Sequence, residues 1–209
     1  MKKILTLTLL LCLATGAFAQ NSFEGEIIYK VSVKSNTRTV TEQEVTHMIG
    51  TEQHFYVKRG NSKTTNNGAF SSWQSYSSKD KRNYYQPKGI DTIFWLAAIN
   101  KDTVKRIELR KNDTTILGYK CDKLTFFLNN ATEVFYFSKQ LAIDPEFSMA
   151  DRSGIWYIYL KKAGSWPLKQ IHYGKLYNTT TTAIKVERKK VSDDIFKLPP
   201  RLPVVKGRF

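Results

Sequence analysis

Apolar and polar side chains alternate with a period of two along most of this chain. From Phe23 onward the odd positions Phe23, Gly25, Ile27, Tyr29, Val31 and Val33 are apolar or small, whereas Glu24, Glu26, Lys30, Ser32 and Lys34 are polar. Successive side chains of a strand point to opposite faces, so this pattern predicts a strand with one buried face. The same signal predicts strands over residues 39–49 and 53–59, the second stopped by Gly60-Asn61. Ser35-Asn36-Thr37 and Asn66-Asn67-Gly68 are expected turns, because Asn and Gly adopt positive φ at little cost. Residues 62–65, the segment holding Trp73 and Tyr76, Tyr84-Tyr85 before Pro87, and residues 91–96 continue a meander.

Further along, residues 116–128 and 132–138, rich in aromatic and β-branched side chains, are expected to pair as a hairpin across Asn129-Asn130. After Asp144-Pro145 the alternation is lost, and residues 146–152 are expected to form a short helix placed as a lid. Residues 155–160 are expected as a strand and Gly164-Ser165-Trp166-Pro167 as a tight turn. Two closing arms follow over 168–177 and 180–189, with Asp193-Asp194 a turn, Ile195-Phe196 closing the domain and Pro199-Pro200 ending regular structure. The count is about ten or eleven strands. The fold class is mainly β, α+β at most: a large curved antiparallel sheet forming a half-open barrel, with one or two short helices as a lid.

The chain opens with Lys2-Lys3, an apolar run over residues 4–13, and Ala17-Phe18-Ala19 before Gln20. This is the layout of a cleavable signal peptide over residues 1–19, leaving residues 20–209 as one domain. Cys12 follows three leucines rather than a small residue, which argues against lipid attachment there. The expected address is outside the cytoplasm: the periplasm first, with outer-membrane association or the extracellular space as other destinations. No later apolar stretch nears the roughly 18–20 residues needed to cross a bilayer, so no transmembrane segment is expected in the mature form.

Processing would leave Cys121 as the one cysteine, which excludes an intramolecular disulfide. It would also leave 31 basic against 18 acidic side chains, a formal charge of +13. Export argues against nucleic acid as the partner of that charge. The anions within reach are phospholipid head groups, lipopolysaccharide phosphates and acidic faces of envelope proteins.

No catalytic constellation stands out. His47, His54 and His172 have no partner at metal-ligand spacing, and no nucleophile elbow or phosphate-cradling glycine loop occurs. Cys121 reads as a small buried hydrophobe. Neither enzyme activity nor a metal or other cofactor is expected. The conspicuous feature is aromatic load, with four Trp, 11 Tyr and 12 Phe. A curved sheet around an apolar concavity needs such residues on its inner face. Tyr29, Val31, Phe55, Trp73, Trp95, Phe126, Phe135 and Trp156 are the candidate ligand-lining residues, each equally able to serve in an ordinary core.

Five segments resemble an exported bacterial family of unknown function: Phe23-x-Gly25-x-Ile27-x-Tyr29, Leu117-Gly118-Tyr119-Lys120-Cys121-Asp122-Lys123, Glu133-x-x-Tyr136, Trp166-Pro167-Leu168, and Asp194-Ile195-Phe196-x-Leu198-Pro199. That family is similar in layout to the LolA/LolB-like lipoprotein carriers. Ser165-Trp166 departs from the glycine that often precedes Pro-Leu in it. The resemblance implies a half-open antiparallel barrel closed by short helices over an apolar cavity. The expected function is a non-catalytic carrier or binding protein for a lipid, a lipoprotein acyl chain or another apolar ligand. The alternative is a structural or protein-interaction module of a cell-envelope assembly.

Overall fold

The computed structural model describes residues 22–97, 103–143 and 154–207. The expected signal peptide and the helix expected over 146–152 lie outside the described residues. The alternating opening segment forms β1 (Gly25–Ser35), whose inward side chains Ile27, Tyr29 and Val31 are buried. On one side of it stand β2 (Glu52–Lys58), β3 (Asn61–Asn66), β4 (Ser71–Ser77), β5 (Arg82–Pro87) and β6 (Ile93–Ala97). On the other side come β11 (Tyr177–Arg188), β10 (Ser165–Tyr173), β9 (Thr132–Ala142), β8 (Tyr119–Leu128) and β7 (Val104–Ile116). A short β12 (Val204–Lys206) adds to β6 in parallel; the other pairs are antiparallel, and this single sheet of 12 strands is not closed into a barrel.

The sheet is strongly curved. Between β2 and β10 lie three inter-strand steps, about 14 Å in a flat sheet. Yet the rings of Phe55 on β2 and Trp166 on β10 meet with centroids 4.9 Å apart. The Tyr29 hydroxyl likewise reaches past β11 to donate to the Pro167 carbonyl at 2.7 Å. Against this concave face lies helix α2 (Gly154–Ala163), whose buried Ile155, Tyr159, Leu160 and Ala163 recur at the spacing of one helical stripe. Tyr159 stacks on Phe135 of β9 at 4.2 Å and Trp156 meets the same ring edge-on at 5.6 Å. The main core, including Ile27, Phe126, Phe135, Phe137 and Leu168, sits between α2 and this face.

Several expected elements differ from the structure. Residues 39–49 were expected as a strand, but Glu42–Ile49 is a helix, α1. Thr41 caps it, accepting from the Glu44 amide at 3.2 Å, while Glu44 accepts from the Thr41 amide at 2.8 Å. This reciprocal capping box outweighs a short alternation. Residues 155–160 are helical, within α2, and not a strand. Ser165 and Pro167 belong to β10 rather than to a turn. Pro167 is tolerated there because the β9–β10 register shifts on either side of it, and the Ser165 hydroxyl donates to the Leu141 carbonyl at 2.9 Å within that irregularity.

The expected arm over 116–128 is divided. Leu117 and Gly118 both have positive φ, 50° and 81°, as a two-residue hairpin turn requires, so β7 ends before them and β8 begins after them. At the far end Asp193–Phe196 is a 3-10 helix. The chain then passes Pro199-Pro200 and still forms β12, so regular structure does not end there.

Candidate functional site

Period two on β2 sends Gln53, Phe55 and Val57 to the concave face, opposite Tyr29, Ile27 and Gly25 of β1. The register passes that face on to Asn66, Thr64 and Ser62 of β3, then to Gln74 and Tyr76 of β4. Across from these positions stand Trp156 and Leu160 of α2 and Trp166 of β10. Between the two walls lies a half-open trough of about 590 Å³, lined in part by Phe55, Thr64, Gln74, Tyr76, Trp156 and Trp166. A recess of about 80 Å³ shares Gln53, Phe55, Thr64 and Trp156 with it and adds Tyr29, Pro167, Gln170 and Thr181.

The candidate lining residues fall into three groups. Tyr29, Phe55 and Trp156 line the trough or its recess. Phe126 and Phe135 are fully buried behind it, Phe135 meeting Phe126 at 5.8 Å and Trp156 at 5.6 Å, while Val31 is buried on β1 beyond Tyr29. Trp73 and Trp95 lie on the other face of the sheet, in a second apolar cluster with Tyr84 and Ile93 that Leu198 and Leu202 cover. Cations sit over both rings, Lys63 at 4.8 Å from Trp73 and Arg82 at 3.8 Å from Trp95.

Residues absent from the candidate set complete the trough. Gln53, Thr64 and Gln74 supply neutral polar groups to its floor. Their signal was available, since Gln53 stands two residues from Phe55 and must share its face. Beyond the recess, Gln170 donates to Glu133 at 3.3 Å, and His172 Nδ1 lies 2.5 Å from the other oxygen of the same buried carboxylate. The hydrogen bond to Glu133 raises the His172 pKa above its ordinary value, against the opposing effect of burial.

Two further groups of ionisable residues lie away from the trough. The buried Glu26 carboxylate meets His54 at 2.7 Å and also pairs with Lys189. Burial pushes the Glu26 pKa up, but the hydrogen bonds from Lys189 and His54 outweigh it and hold the group below its ordinary range. On the face opposite α2, the register sets Arg110, Lys123, Tyr136, Lys169, Thr182 and Lys30 side by side on successive strands. The row spans about 24 Å at the usual strand spacing. Lys123 and Lys169 flank the Tyr136 ring at 5.7 and 5.6 Å.

Cys121 is buried, its thiol pushed up by burial and hydrogen-bonded to the Tyr119 carbonyl at 3.3 Å. Among the described residues no group of three or more His, Cys, Asp or Glu side chains gathers as a metal site, and no helix is long and apolar enough to cross a membrane.

The fold is thus that of a mainly β protein built on one large, open, curved antiparallel sheet. Among solved structures it is similar to PNGF-II. In a P21 crystal form of that protein, 89% of this chain superposes on 32% of the other, with a TM-score of 0.51 and 14% sequence identity. In a C2 form the corresponding values are 89%, 31%, 0.49 and 13%. This chain therefore spans about a third of the length of PNGF-II, and the likeness is one of fold alone. No protein-family model and no curated protein matches the chain, and the resemblance to LolA/LolB-like carriers is not confirmed.

Proposed function

We propose that this chain is an exported, non-catalytic binding or carrier protein that holds an acyl chain or another apolar ligand in the trough between the sheet and α2. The observation that carries the reading is the trough itself: about 590 Å³ left unfilled beside Phe55, Trp156, Leu160 and Trp166. That volume lies within the roughly 300–1,000 Å³ of small-molecule sites, where apolar walls supply affinity and a few polar groups fix orientation. Burying a methylene is worth about 0.8 kcal/mol, so a chain of about sixteen carbons gains on the order of 10 kcal/mol before ordering costs.

The basic, apolar opening of the sequence supports an envelope address. The cationic row favours contact with an anionic surface, a phospholipid leaflet or an acidic envelope protein, and is the one feature that speaks for the interaction-module reading.

Tryptophan fluorescence tests the proposal. Trp156 and Trp166 line the trough, whereas Trp73 and Trp95 belong to the other face. Titration with a sixteen-carbon alkyl ligand should give a saturable change that Trp156→Phe and Trp166→Phe diminish and Trp95→Phe leaves intact. Absence of saturable binding would overturn it.

A further inference from the structure

The two walls of the trough are chemically unlike. Trp156, Leu160 and Trp166 form an apolar side, and on the sheet side Gln53, Thr64 and Gln74 stand beside Phe55 along the floor. A glutamine amide both donates and accepts, and a threonine hydroxyl does the same. Among the described residues these three side chains make no hydrogen bond to the protein, so their capacity is open to whatever enters.

Among the described residues, ionised groups are missing from the lining. Charged residues are 24% of the chain, yet among the described residues no Lys, Arg, Asp, Glu or His lines either the trough or its recess. A charged head drawn in here would give up part of its hydration without a counter-charge, a penalty that grows with its burial. A hydroxyl or amide head would instead exchange water for the floor at little cost.

From this lining we infer that the ligand is electrically neutral where it meets the floor: an apolar chain or ring carrying an uncharged hydroxyl or amide head. The inference rests on the binding reading above and adds to it the class of head group. It runs against the bulk field of the protein, whose net positive charge would by itself favour anions.

Three eight-carbon ligands separate the possibilities: octyl glucoside, octanoate and octyltrimethylammonium, each titrated below its micellar concentration at neutral pH and physiological salt, with tryptophan fluorescence as readout. The glucoside should bind at least tenfold more tightly than either ion. Equal affinity for all three would overturn the neutral-head inference and leave apolar binding standing. Binding of none would overturn both. Gln74→Leu, at an exposed position, should weaken the glucoside about threefold and leave octane, which has no polar head, unchanged. An equal loss for both ligands would mean altered packing and would also overturn the role assigned to the floor.

Discussion

Phe55 and Trp166 meet edge to face across the curved sheet, from strands that are not neighbours, with ring centroids 4.9 Å apart. This contact joins the β2 side of the trough to the β10 side. Edge-to-face pairs contribute about 0.5–1.5 kcal/mol beyond the area they bury. Phe55→Ala also removes a large half-buried ring, so a loss of about 2 kcal/mol of stability is expected, below the range for fully buried phenylalanines. Urea unfolding measures it. The same variant should bind an alkyl ligand more weakly, whereas a purely structural role would change stability and leave the affinity of the folded protein unaltered.

The His172–Glu133 pair makes stability pH-dependent. Because the hydrogen bond raises the folded-state pKa of His172, its contribution is fully present below the unfolded value of about 6.5 and is lost as pH rises through the folded value. With its side chain about a third exposed, the pair should add about 1 kcal/mol at acidic pH. His54 is raised by Glu26 and acts in the same direction. Thermal unfolding between pH 5.5 and 8.5 should therefore show His172→Gln lowering Tm at the acid end and converging with the wild type at the alkaline end. A constant offset across the range would contradict the assignment.

The cationic row sets Arg110 directly opposite Lys123, an arrangement of like charges that costs stability unless an anion relieves it. A basic side chain at an anionic surface contributes about 1 kcal/mol. Lys123→Glu with Lys169→Glu should reduce sedimentation with phosphatidylglycerol vesicles at least tenfold at low salt, with little effect on neutral vesicles. Unchanged sedimentation would remove the row from the account.

Much of the sheet was legible because alternation gives each strand its inner face. Tyr29 and Phe55 follow from that parity alone. Trp73 and Trp95 do not: Trp73 shares its parity with the buried Ser71 and Ser75, and the face it shares with Trp95 is covered by the segment bearing Leu198 and Leu202 rather than by α2. Parity within a strand does not say which face it shares with its neighbours. The helix after Thr41 was legible in the Thr-x-x-Glu capping signal, although alternation around it pointed to a strand. The apolar run at 155–160 was too short for periodicity to decide between strand and helix. Glu133 and His172 lie 39 residues apart, and the β9–β10 register alone joins them.

Native mass spectrometry of the protein isolated from its native source without detergent or organic solvent tests the central claim most directly. The account predicts a species heavier than the polypeptide by the mass of one neutral amphipathic molecule, diminished when Phe55 and Trp156 are replaced by alanine. A bare polypeptide mass from wild-type protein, prepared gently and still folded, would contradict it.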